Sequence, residues 1–121
     1  MAKEPARRAC PTCATREVLD RVGDQWSFLV MAVLESGTLR FGELKNRVEG
    51  ISPRVLTQTL RSLEQDGLIT RHAFATIPPR VDYQITALGL SLAAAMKPLV
   101  TWAEDNQSTI HENRRTDRSA A

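Results

Sequence analysis

Apolar positions along this chain change period twice, and the changes divide it into helices, a hairpin and a final helix. Val18, Leu19 and Val22 begin the helical spacing, and Gly23 supplies a left-handed stop, which predicts a short first helix. Asp24 suits the N-cap of a second helix carrying Trp26, Leu29, Val30, Val33 and Leu34, closed by Gly37. Thr38-Leu39-Arg40 has the character of a minor strand. Phe41, Leu44 and Val48 then give a third helical face, ended by Gly50.

The fourth start signal is the clearest. Ser52 is an N-cap residue, and Pro53 falls at the first helical position, where its missing N–H costs nothing. Ile51 and Leu56 stand at the spacing of a hydrophobic staple. Leu56, Leu60 and Leu63 make the buried stripe with Val55 beside it, and Gly67 ends the helix. Only a few residues separate the third and fourth helices, as a helix-turn-helix requires.

Beyond Gly67 the period becomes two. Leu68 to Ala75 fits a strand, and Val81 to Thr86 alternates between apolar and polar. Pro78 and Pro79 cannot donate to a ladder and so belong at the tip between the strands, with Arg80 directly after them. From Ala87 the pattern is helical again. Leu88, Leu92, Met96, Leu99 and Trp102 hold one stripe for about four turns, across Pro98, where a bend is expected. The predicted fold class is α+β, mainly α: a winged helix-turn-helix with a two-stranded wing and a long C-terminal dimerisation helix. Its expected parts are a loose arm over 1–9, one domain over 10–105 and a polar, fraying tail over 106–121.

The 121 residues suffice for a single modest core. No apolar run reaches the roughly 18 residues of a membrane span, and polar, basic Met1 to Arg8 does not read as a secretory signal, so the expected compartment is the cytoplasm. A net charge of +2 neither demands nor excludes nucleic acid, so the location of the basic residues decides. Opposite the leucine stripe of the fourth helix lie Arg54, Thr57, Gln58, Arg61 and Gln65, with acids only near its end, at Glu64 and Asp66. A helix with such a face fits the major groove, and its N-terminus offers free N–H groups to a phosphate. Arg71 and Arg80 on the hairpin and Arg40 before the third helix complete a basic set, with Ser52 at the helix start. Arg80 has a second, purely structural reading, an ion pair with Asp82.

These pieces, taken in order, resemble the HxlR-type winged-helix transcriptional regulators over roughly residues 10–105. The matching segments include Cys10-Pro11, Val22-Gly23-Asp24-Gln25-Trp26, Arg40-Phe41-Gly42-Glu43-Leu44 and Gly50-Ile51-Ser52-Pro53. Leu56-Thr57-Gln58-Thr59-Leu60, Leu63-Glu64-Gln65-Asp66-Gly67-Leu68, Pro78-Pro79-Arg80-Val81-Asp82-Tyr83 and Thr86-Ala87-Leu88-Gly89 follow. Asp24-Gln25 stands where the family has Gly-Lys, and Asp82 where it often has Glu. The resemblance implies a homodimer on a palindromic double-stranded operator. Leu88, Leu92, Met96, Leu99 and Trp102, joined by Val18 and Leu19, are the expected dimer surface. It also implies that a cysteine at Cys10 can sense oxidants or small electrophiles through its thiolate. Cys13 has no counterpart in the resemblance; only the Cys10-Pro11-Thr12-Cys13 spacing makes it a candidate partner, the other being Cys10 of a second subunit. The alternatives are a cysteine that merely packs at the interface, and a winged helix that binds protein rather than DNA. No glycine phosphate loop, nucleophile with a base, or metal-ligand cluster is present, so neither catalysis nor a cofactor or metal is expected.

Overall fold

A computed structural model describes residues 11–120. Helix α1 spans Pro11–Gly23, α2 Gln25–Leu34, α3 Phe41–Arg47 and α4 Pro53–Gln65. Strand β1, Leu39–Arg40, precedes α3. The hairpin is β2, Ile69–Phe74, and β3, Arg80–Ile85, and the 34-residue α5 runs Ala87–Ala120.

Local chemistry accounts for these boundaries. The Asp24 carboxylate accepts from the Trp26 N–H at 3.1 Å and from the Ser27 hydroxyl at 2.9 Å. An aspartate here thus caps α2 and satisfies Ser27, which is fully buried. Ser52 accepts from the Val55 N–H at 3.1 Å, with Pro53 opening α4. Ile51 and Leu56, the staple pair, are both buried. Gly50 and Gly67, which the sequence reading places at helix ends, adopt the left-handed φ of 85° and 78°. Gly23, by contrast, is the last residue of α1, and that helix begins well before the apolar spacing that announces it.

The core gathers Val30, Met31 and Leu34 of α2, Leu44 of α3, and Leu56, Leu60 and Leu63 of α4, closed by Leu68 and Ile69. Each such side chain contributes roughly 1.5–3 kcal/mol on leaving water. The strands form one antiparallel sheet in the order β1-β3-β2. The two-stranded wing is therefore extended at its base by β1, which pairs Leu39 with Tyr83 and Arg40 with Asp82.

Helix α5 packs on α2 and β3, and its length corrects the expected fraying after Asn106: the helix continues to Ala120. The segment carries Arg114, Arg115 and Arg118, which lose little rotamer freedom in a helix, and Arg115 pairs with Glu112 one turn before it.

Candidate nucleic-acid interface

Burying the leucine stripe of α4 turns the opposite face outward. Arg54, Thr57, Gln58 and Arg61 are all exposed there, and the first turn holds no acid. Two of the predicted groups are already engaged. The Ser52 oxygen is the cap acceptor, and the Thr57 hydroxyl donates to the Pro53 carbonyl at 2.9 Å. Among the described residues, Arg54 and Arg61 form no ion pair. The α4 face therefore carries two cations without an ion pair and an adaptable amide, Gln58, and Arg54 lies in the first turn, where the helix dipole favours anions.

The hairpin differs from its sequence reading. Arg80 is not a free residue of the loop but the first residue of β3, opposite Phe74. Its Nε and Nη2 donate to the two Asp82 oxygens at 3.1 and 2.9 Å, and its guanidinium carbon lies 4.9 Å from the Phe74 ring centroid. The structural alternative for Arg80 is thus realised, and any contact with a phosphate must share the side chain with Asp82. The Arg80 hydrogen bond holds the Asp82 carboxyl below its ordinary range. Desolvation opposes that shift, and the charges of Arg80, Arg40 and His72 reinforce it. Arg80 is in turn raised by the same bond. Arg71 is exposed on β2, opposite Tyr83. Arg40 is exposed at the start of α3, where its backbone N–H donates to Glu43 at 2.8 Å. Nothing in the apolar and polar alternation announces that Asp82 is the centre of this charged group. The signal is the register, which puts Arg40 and His72 on either side of it.

The expected dimer stripe divides. Leu88, Leu99 and Trp102 are each more than half exposed, as is Leu19, and Val18 is 49% exposed. Met96 is a correction: at 6% exposure it faces its own subunit, beside Ala93, and Leu92 packs partly against the core. Helical spacing alone does not separate the flank that meets α2 from the flank left open. A groove of 570 Å³ lies between α1 and α5, lined by Val18, Leu68, Leu88 and Leu92 together with Glu17 and Asp20.

Cys13 lies exposed in the first turn of α1 and is disulfide-bonded. Cys10 lies outside the described residues. Among the described residues no group of His, Cys, Asp or Glu side chains is placed to hold a metal, and no helix is long and apolar enough to cross a membrane.

Known proteins share this arrangement. The HTH-type transcriptional regulator YtfH of Escherichia coli is 39% identical over 94 residues, covering 78% of this chain and 75% of its own. The solved structure of the transcriptional regulator ytfH from Salmonella typhimurium superposes with a TM-score of 0.73 at 36% identity, covering 84% of this chain and 90% of that one. The redox regulator HypR in its reduced form gives 0.74 at 29% identity, over 82% and 98%. These relatives are regulators rather than enzymes, and the HxlR-like helix-turn-helix family model matches residues 21–111, so the chain, with its capped α4 beside a proline-tipped wing, belongs to the HxlR family of transcriptional regulators.

Proposed function

We propose that this regulator binds double-stranded DNA as a homodimer on a palindromic operator, in the cytoplasm, and answers to an oxidant or small electrophile through Cys10. The observation that carries the DNA reading is the α4 face, where Arg54, Gln58 and Arg61 are exposed and no carboxylate lies within about three turns of the N-terminus. In this reading α4 enters the major groove. Gln58 meets base edges, Arg54 and Arg61 meet base or phosphate, and Ser52 and Thr57 lie at the rim. Arg40, Arg71 and Arg80 serve the flanking backbone and groove. The exposed Leu19, Leu88, Leu99 and Trp102, with Val18, support the second copy, which would set two α4 helices about 34 Å apart. The redox reading draws on the likeness to HypR and on the disulfide at Cys13.

Selection from a random duplex pool, followed by salt titration with reduced and oxidised protein, tests this directly. Binding that weakens steeply with salt is expected, and no affinity for any duplex at low ionic strength in either form would refute it. Gln58→Ala should change the selected sequence more than the non-specific affinity. A redox response that survives Cys10→Ser would remove Cys10 from the sensing role.

A further inference from the structure

The groove between α1 and α5 has apolar walls and acid edges. Leu68, Leu88, Leu92 and Ala95 line it with Val18, and its 570 Å³ falls within the span of small-molecule sites, about 300–1,000 Å³. Among the described residues its charged lining is of one sign: Glu17 and Asp20 from α1, and Asp66 from the end of α4. Glu17 and Asp20 are exposed and form no ion pair among the described residues. Asp66 is the C-cap of α4, so the negative end of that helix dipole also meets the groove, and no basic residue in the last turn of α4 offsets it. The Ser91 hydroxyl, also on the lining, donates to the Leu88 carbonyl at 2.7 Å, which leaves it only as an acceptor.

The groove also touches the joint between α4 and the hairpin. The Leu68 N–H donates to the Leu63 carbonyl of α4 at 3.0 Å, and the Leu68 carbonyl accepts from the Thr86 N–H, directly before α5, at 3.0 Å. Leu88 reaches over Gly67, where an added Cβ would stand 4.0 Å from its Cδ2. One lining residue, Leu68, is therefore bonded both to α4 and to the root of α5. It is only 6% exposed, and a close-packed interior transmits a displacement rather than absorbing it. Leu99 and Trp102 do not line the groove and begin about two turns beyond Leu92. The open side of α5 thus divides between this groove and the proposed second copy, with Val18 and Leu88 at the border.

We propose that this groove is an effector site for an amphipathic organic cation. Its apolar body lies against Leu68, Leu88, Leu92 and Ala95, and its charged centre sits beside Glu17 and Asp20. The sign of the edges selects a cation over an anion. The walls select an organic cation over a metal ion, which gains nothing from four apolar side chains. Occupancy shifts α5 against the joint at Leu68 and lowers the affinity of α4 for a duplex. That link rests on the DNA-binding reading above, whereas the binding step does not.

The test uses the full chain and two probes of one shape and opposite charge, tetraphenylphosphonium and tetraphenylborate, followed by calorimetry. The cation should bind once per protomer and at least about fivefold more tightly than the anion, the ratio that one exposed charge pair can supply. Glu17→Gln with Asp20→Asn should remove most of that discrimination, and added salt should narrow it. Ala95→Trp, at an exposed position where folding is not at stake, fills the groove and should abolish binding. On the duplex that the wild type selects, saturating cation should weaken binding by at least about fivefold. The duplex should weaken cation binding by the same factor, as linkage requires, and Ala95→Trp should lose the response. The proposal fails if neither probe binds, if the anion binds as tightly, if Ala95→Trp keeps the site, or if duplex affinity ignores the cation. It fails equally if sedimentation shows the cation binding only by splitting a dimer, since the groove would then belong to the second copy. A protein that binds the cation as described but no duplex in any condition sinks the DNA-binding reading and leaves the site standing.

Discussion

Gly89→Ala sets helix propensity against packing, and the structure decides the sign. Gly89 is the third residue of α5, where alanine should favour the helix by up to about 1 kcal/mol. A Cβ built there, however, lies 2.3 Å from the Leu68 carbonyl oxygen and 2.6 Å from Cγ1 of Ile85. An ordinary carbon–oxygen contact is about 3.3 Å, so the overlap with Leu68 is roughly 1 Å, and it is with backbone. Neither side is free to retreat. The Leu68 carbonyl accepts from the Thr86 N–H at 3.0 Å, the Thr86 hydroxyl donates to the Gly67 carbonyl at 2.7 Å, and the Gly89 N–H donates to that hydroxyl oxygen at 3.0 Å. Relief must break part of this clasp, at about 1 kcal/mol per bond, or strain the packing by about 1–3 kcal/mol. After the propensity gain, a net loss of about 1–2 kcal/mol is expected. Urea unfolding at fixed protomer concentration should show the midpoint falling by about 0.5–1 M, given a slope near 2 kcal/mol/M. Gly42→Ala is the control: its Cβ meets nothing within 4 Å, so it should be neutral or stabilising by up to about 1 kcal/mol. A Gly89→Ala midpoint at or above the wild-type value would refute the reasoning.

Ser52→Ala removes the acceptor of the Val55 N–H and should cost about 1 kcal/mol in the same assay. Trp102→Glu places a charge on the exposed α5 surface and should shift sedimentation equilibrium toward monomer with helicity unchanged; a dimer of wild-type strength would move the interface elsewhere. Asp82 has its pKa lowered on folding, so its pairing stabilises above the ordinary carboxylate range, about pH 4, and is lost as pH falls through the lower folded value. The stability gap between wild type and Asp82→Asn should therefore close below about pH 4, and a gap constant from about pH 7 to pH 3 would contradict the pairing. In salt titrations Arg61→Ala should lower the slope of log affinity by about 0.9, the value for one lost phosphate contact. Arg80→Ala should lower it by less, because Asp82 already neutralises that charge.

Elements marked by short-range chemistry are legible in the amino-acid sequence. Ser52-Pro53 and the glycines at 50 and 67 each impose a backbone state on a neighbouring residue or two, so α4 and its limits can be read from the chain. The hairpin is legible for the same reason, through Pro78 and Pro79 and the alternation on both sides. The start of α1 is not, because residues 12–20 are all exposed and an exposed helix leaves no apolar period to read. The continuation of α5 past Asn106 escapes likewise: its polar residues look like a tail, and their helix preference is a weak signal beside hydrophobic spacing. Met96 shows the limit within a recognised stripe. A stripe wide enough to serve two surfaces gives no sign of which edge its own subunit will claim, since that depends on the angle at which α5 crosses α2. Arg80 shows the limit for charge. Sequence counts it as a cation beside the loop, while pairing across the strands decides that it shares its charge with Asp82.

That sharing changes how the interface divides its work. A net charge of +2 spread over the chain is too small to hold DNA by itself, so position must supply what total charge does not. On α4 neither Arg54 nor Arg61 forms an ion pair, and Arg54 also lies in the first turn, at the positive end of the helix dipole, so in the proposed reading both would attract phosphates and contribute to salt dependence. Beside the wing, Arg40 and Arg80 each have an acid close by: Glu43 bonds the Arg40 backbone, and Asp82 holds the Arg80 side chain. A charge so balanced gains little from a uniform phosphate backbone but can still gain where donors meet a concentrated potential at one place and angle. Affinity would then come from α4, and the wing would discriminate among sites that α4 holds equally well.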